Sequence, residues 1–376
     1  MKKTATITFH ASHNYGSMLQ AYALQQTLLS LGVENEIINL RTSRQKKYYS
    51  NPTSSTGKSW KHKIWRIIRE HLFPNSNSQL INKYSLFENF LKDQLILTSE
   101  YESSTELKNS LSEYDYYITG SDQCWNTQCL DFDSAYLLDF TDSHNKIAYA
   151  ASIGPFPLSQ LGENYNSMLK CFRVISAREE GTSDVISKIV NKEIEIVPDP
   201  TILLPRLSWQ YLAGSSPIID EPYIFLYTPY IKDDIFEIAI EISKREQLPI
   251  IVSNFTSPFK DYFLLKRNGA VFKLDIGPVE FINLIANAKT VISGSFHALV
   301  FSMIFHTPFW AVNGDRDNRM RHILNKYDFL ERVIHIDNIS EKLASQSISF
   351  DYSDAIIEKE KDFGISFLKH NLDIYA

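Results

Sequence analysis

"ATITFHASHNYGSMLQAYALQQTLLSLGVENEIINL", residues 5 to 40, decides the architecture. "ATITF" (5–9) is an apolar run of strand length. Leu19, Ala23, Leu24, Leu28 and Leu31 then recur at helical spacing, and Gly32 stands where a helix stops. "NEIINL" (35–40) supplies the next strand. Strand, helix, strand in that order predicts a parallel sheet. Between the first strand and the helix lie His10, His13, Asn14, Tyr15 and Gly16. In open parallel sheets that handover is where ligands bind, with free helix N–H groups behind it to meet an anion.

The same rhythm continues along the chain. Strands are expected at 114–120, 146–152, 173–178 and 193–199, and residues 41–60, rich in Ser, Thr and Lys, read as a loop. Pro198, Pro200 and Pro205 follow closely, which sets a domain boundary near 205. Beyond it, strands at 223–229, 249–254, 271–275, 290–295 and 309–314 alternate with helical stretches near 231–247, 278–288, 296–306 and 316–326. The expectation is two doubly wound α/β domains, 1–205 and 206–350, with a cleft between them, and an amphipathic tail, 351–376, packing back on the first.

The chain has 376 residues, a formal net charge of −6 and three cysteines. An acidic chain is not built as a general nucleic-acid binder, so no nucleic-acid partner is expected. Sparse, odd cysteines suit a reducing compartment. "MKKTATITFHASHNYG" lacks the apolar core of a signal peptide, and no run approaches the ~20 apolar residues of a membrane span. A cytoplasmic location is expected. Cys124 and Cys129 have no matching Cys/His pair at finger spacing, so no metal is expected. Neither G-x-x-x-x-G-K-[ST] nor G-x-G-x-x-G occurs, so no nucleotide-phosphate loop is expected.

Four stretches bear chemistry. In "TGSDQCWN" (119–126), Ser121, Asp122 and Gln123 suit sugar hydroxyls, or cap a helix. "ISAREEGTSDVI" (175–186) ends a strand on Arg178, which suits a carboxylate or phosphate, or bridges to Glu179, Glu180 or a neighbour. "ISGSFHALVFSMIF" (292–305) puts His297 in the first turn of an apolar helix at a strand's carboxyl end. A helix N-terminus disfavours the imidazolium, which suits an acid/base near neutral pH; a buried histidine on a backbone carbonyl is the plainer alternative. "NGDRDNRMRHIL" (313–324) clusters Arg316, Arg319 and Arg321. Separately, Trp60, Ile64, Ile67, Ile68 and Leu72 of the stretch 57–73 fall on one helical side among Lys58, Lys61, Lys63, Arg66 and Arg69. Such a helix lies on an anionic membrane, or packs on its own domain with a basic outer face.

Taken together, "ITFHASHNYGSMLQAYALQ", "YDYYITGSDQCWN", "KIAYAASIG", "ISAREE", "VPDPTILL" and "VISGSFHALVFSMIF" occur in an order that resembles the polysaccharide pyruvyl transferase family from residue 5 to about 330. The resemblance implies two Rossmann-like domains of the GT-B glycosyltransferase type. It implies transfer of an enolpyruvyl-derived group from phosphoenolpyruvate, as co-substrate, to hydroxyls of a sugar or lipid-linked oligosaccharide in a cell-surface polysaccharide precursor. A pyruvate ketal forms, and no cofactor is required. By resemblance Arg178 matches a donor-binding arginine and His297 the catalytic histidine. Many members carry an arginine two residues before that histidine, where this chain has Ser295. Two readings follow: a different donor, or Arg319 or Arg316 reaching in instead. His13, Asn14, Tyr15, Ser121, Asp122 and Gln123 are expected on the acceptor side. A nucleotide-sugar glycosyltransferase and a non-catalytic sugar-binding relative are the alternatives.

Overall fold

A computed structural model describes residues 1–52, 60–154, 162–229, 234–254, 259–344 and 348–374. The chain divides into two units: Met1–Ser50 with Asn89–Leu204 and Ile357–Ala376, and Asn51–Glu88 with Pro205–Ile356. The change at Leu204/Pro205 lies where the prolines gather. Residues 51–88, which the sequence reading left in the first domain, group with the second unit. Phe73 explains this, being buried in that unit's core with Leu226, Ile238 and Leu265.

In chain order the first stretch holds β1 (Lys3–Ile7), α1 (Tyr15–Ser30), β2 (Glu34–Leu40), α2 (Ser43–Tyr48), α3 (Trp60–Leu72) and α4 (Ser76–Gln94). It continues with β3 (Leu97–Tyr101), α5 (Ser104–Ser110), β4 (Tyr116–Thr119), β5 (Lys146–Ala151), α6 (Glu163–Lys170), β6 (Val174–Ala177), α7 (Glu180–Val190) and β7 (Glu195–Ile196). The seven strands form one sheet in the order β3-β2-β1-β4-β5-β6-β7, and every pairing is parallel. Central strands covered on both faces must be apolar throughout. All six residues of β5, KIAYAA, are buried accordingly.

The second unit runs α8 (Arg206–Ala213), β8 (Ile224–Tyr227), α9 (Ile235–Glu246), β9 (Ile250–Val252), α10 (Phe259–Arg267), β10 (Val271–Phe272) and α11 (Pro278–Asn287). It closes with β11 (Thr290–Ser293), α12 (Phe296–Phe305), β12 (Phe309–Val312), α13 (Asn318–Lys326), β13 (Val333–Ile334) and α14 (Ile339–Lys342). Its parallel sheet has the order β10-β9-β8-β11-β12-β13. The last helix, α15 (Asp351–Asn371), buries Phe367 and Leu368 in the first unit beside Leu24, Leu28, Tyr149 and Leu203. Gly364 lets it approach: a Cβ there would stand 2.6 Å from the Tyr149 hydroxyl oxygen and from a Leu203 methyl carbon.

Two differences from the sequence reading have physical causes. β3 and β13 are edge strands with too little apolar alternation to signal themselves. The stretch read as a loop, 41–60, contains α2, nucleated by a capping box in which Thr42 Oγ1 accepts from Gln45 N and Gln45 Oε1 accepts from Thr42 N. Residues 231–233 of an expected helix, Lys58, and the side chains of Lys61, Lys63 and Arg66 lie outside the described residues.

Candidate functional site

In each sheet there is one place where the chain's winding reverses. Strands leave β1 toward β2 on one side and β4 on the other; β8 does the same between β9 and β11. Crevices form outside the carboxyl ends at such switch points. The loop 8–14 after β1 and the loop 120–123 after β4 meet at the first. "ISGSFH" meets the end of β8 at the second.

Hydrogen bonds lock the first switch point. Gln20, buried in α1, donates from Nε2 to Thr8 Oγ1 at 2.8 Å and accepts from Ser121 N at 3.1 Å. Thr8 Oγ1 donates to the Ser121 carbonyl at 3.2 Å. Gly120 (φ +110°) is demanded by proximity, because a Cβ would stand 2.2 Å from the Tyr149 carbonyl oxygen. One buried glutamine thus fixes both loops, a role that its helical position alone did not announce.

These constraints sort the expected acceptor residues. Tyr15 is 2 % exposed as the first residue of α1, so it does not present a surface to a ligand, contrary to expectation. Ser121 is wholly buried, its Oγ donating to the Ala150 carbonyl at 2.8 Å. Asn14 is the N-cap of α1, its Oδ1 accepting from Gly16 N at 3.0 Å and Ser17 N at 3.3 Å. His13 is half-buried, its ring stacked on Tyr49 with centroids 5.3 Å apart. Gln123 is also half-buried.

Asp122 and Arg178 belong to one buried network. The Arg178 side chain is 3 % exposed and places Nη1 3.0 Å from Asp199 Oδ2 and 3.4 Å from Asp122 Oδ1, with Nε 3.4 Å from Glu179 Oε2. Burial works against its charge, but the three carboxylates more than offset this and hold its pKa above the ordinary value. Ser17 Oγ donates to Asp122 at 2.6 Å, Ser152 Oγ donates to Glu179 at 2.6 Å, and Thr182 Oγ1 donates to the same Glu179 oxygen. This is the ion-pair alternative for Arg178, not a guanidinium held out to a donor. Asp199 carries no signal of its own in the sequence, standing at the end of the expected strand 193–199 between two prolines.

At the second switch point Ser293 Oγ donates to the Tyr227 carbonyl at 2.5 Å and accepts from Ser295 N at 3.0 Å, tying the ends of β8 and β11. Ser295 is the N-cap position of α12, half-buried, without a side-chain capping bond. His297 follows in the first turn, 8 % exposed, its ring edge-on to Phe296 at 5.1 Å. The first-turn N–H groups of a helix have no intrahelical acceptor and suit an anion. Arg316 is exposed, while Arg319 grips Asp317 twice, at 2.9 and 3.2 Å. Burial alone would raise the Asp317 carboxyl, but Arg319 and two backbone N–H groups bring it below its ordinary range.

Among the described residues no three His, Cys, Asp or Glu side chains are grouped to hold a metal, and no helix is long and apolar enough to cross a membrane. A cavity of about 160 Å³ lies at the amino ends of β6 and β7, between Leu169, Arg173, Val190 and Ile194. It is at the end of the sheet where ligands of this architecture do not bind.

Solved structures with the same two-unit α/β fold include S. aureus MnaA in a co-structure with UDP, at 12% identity and TM-score 0.58, covering 100% of this chain and 98% of that one. The UDP-GlcNAc 2-epimerase from Neisseria meningitidis, bound to UDP-GlcNAc, is 11% identical with TM-score 0.52, covering 99% of each chain. That from Methanocaldococcus jannaschii is 13% identical with TM-score 0.52, covering 92% of each. At such identities the likeness establishes a GT-B-type fold and nothing of the chemistry. No curated protein sequence matches the chain. The sequence model of polysaccharide pyruvyl transferases, however, matches residues 14–316, from the N-cap of α1 past His297 to Arg316, and by that match the chain belongs to the polysaccharide pyruvyl transferase family.

Proposed function

We propose that the protein moves a pyruvyl group from phosphoenolpyruvate onto two hydroxyls of a sugar in a cell-surface polysaccharide precursor, closing a pyruvate ketal. The observation that carries this is His297 in the first turn of α12 at the second unit's switch point. Phosphoenolpyruvate presents a carboxylate and a phosphate, which suit the first-turn N–H groups of α12, Ser295, and Arg316 and Arg319 after the neighbouring strand β12. The first sugar hydroxyl adds to C2 of the enol ester, its proton passes to His297, and a proton enters at the methylene carbon to make the methyl group. Phosphate leaves C2, the second hydroxyl attacks there, and its proton departs as the ketal closes. One imidazole that takes and returns a proton serves these steps.

The acceptor is assigned to the first unit, around His13, Asp122 and Gln123. Arg178 acts there through Asp122 and Glu179, which it holds ionised and in place. We place the protein in the cytoplasm, with contact at the membrane's inner face through α3. The support for that contact is exposure: Ile64 is 44 % exposed and Ile67 67 % exposed on a helix rich in Lys and Arg. The test of the reaction is phosphate release. Phosphoenolpyruvate with a sugar acceptor should yield phosphate and a ketal. Consumption of a UDP-sugar instead would mark a glycosyltransferase, and neither reaction a non-catalytic relative.

A further inference from the structure

The helix α2 carries an aromatic group that the reaction above does not use. The Tyr49 ring stacks on His13 with an interplanar angle of 29°, and Tyr48 meets Tyr49 edge-on at 5.0 Å. Tyr48 is 64 % exposed. Tyr49 is half-buried, and its hydroxyl is tethered. Tyr49 donates its hydroxyl to Asp131 Oδ2 at 2.7 Å, and Gln45 Nε2 donates to Asp131 Oδ1 at 3.1 Å. Lys46 pairs with Glu100 and Glu102, at 2.6 Å each. Asp131 is itself buried, and that burial raises its carboxyl's pKa. A buried carboxylate is a costly way to steady a half-buried tyrosine unless the ring's position matters.

From this geometry we infer that Tyr48, Tyr49 and His13 form a rigid aromatic shelf that binds the apolar face of a neutral pyranose ring of the acceptor, with Asp131 and Gln45 as its positioning residues. The inference rests on the reading that the first unit takes the sugar. A pyranose offers axial C–H groups to an aromatic face and hydroxyls to nearby acceptors. Asp131 and Asp122, which lie close enough to interact, offer carboxyl oxygens to those hydroxyls.

Saturation-transfer NMR with the methyl pyranosides of glucose, galactose and mannose tests this on the full chain. At least one glycoside should receive saturation from the native protein, and Tyr48→Ala should weaken its binding about five-fold, the scale of one lost aromatic contact. Tyr48 is a surface residue, so that variant keeps the fold. Tyr49→Phe, which keeps the ring but not its bond to Asp131, should fall between Tyr49→Leu and the native chain. No transfer to any of the three, equal transfer in Tyr48→Ala, or displacement by UDP at the same site overturns the shelf. Binding requires no phosphoenolpyruvate, so the two readings fail separately. A glycoside held by the shelf without phosphate release from phosphoenolpyruvate contradicts the reaction alone. Phosphate release with Tyr48→Ala binding glycoside as the native chain does contradicts the shelf alone.

Discussion

Arg178 Nη1 stands 3.0 Å from Asp199 Oδ2, with both side chains almost wholly out of water. One guanidinium faces three carboxylates there. Arg178→Met should therefore destabilise the fold by roughly 3–5 kcal/mol, because it strands buried negative charge. Urea unfolding of the variant checks this. Stability within about 0.5 kcal/mol of native, with weakened donor binding, would return Arg178 to the donor site.

Asn14 separates capping from ligand binding. Asn14→Ala should lower stability by about 1 kcal/mol, and Asn14→Asp, which keeps the capping oxygen, should restore most of it. Thermal unfolding of both variants measures this. An equal loss in both would show that the cap is not what Asn14 supplies.

Asp131 gives a pH signature. Burial raises its folded-state pKa, so the folded state favours the protonated acid. Its contribution to stability is full below the unfolded value and falls as pH rises through the folded one. Asp131→Asn should thus be more favourable relative to native at pH 7 than at pH 4. Melting temperatures at the two pH values decide it, and a difference of the opposite sign contradicts the burial account.

The α3 contact is read by sedimentation with anionic vesicles at low salt. Glutamate at Lys61, Lys63 and Arg66 should reduce binding at least about ten-fold, since each basic residue contributes ~1 kcal/mol near such a surface. Ile67→Asp should reduce it too. An intact chain that does not sediment with the vesicles ends the idea.

The strand–helix rhythm made the sheets readable, because parallel strands buried on both faces are continuous apolar runs, as in "KIAYAA" and "TVIS". The same rhythm placed His297 correctly at a helix start. Side-chain commitments were not readable. Whether Tyr15 faces out or in depends on where α1 begins, and whether Arg178 is available depends on Asp199, 21 residues away. Tyr49 and Asp131 meet across 82 residues, in a segment whose polar composition concealed a capped helix. Residues 51–88 carry no compositional mark of the unit they join; the burial of Phe73 and the bond from Leu274 N to Gln79 Oε1 reveal it.

The central claim is that His297 moves the proton. The direct measurement is phosphate release from phosphoenolpyruvate by the native chain and by His297→Gln, with a lipid-linked oligosaccharide fraction as acceptor and donor affinity followed by calorimetry. The account predicts a loss of roughly 10²-fold or more in turnover, with melting temperature and donor binding nearly unchanged. Near-normal turnover by His297→Gln would contradict it and leave His297 as a structural residue of the α12 N-terminus.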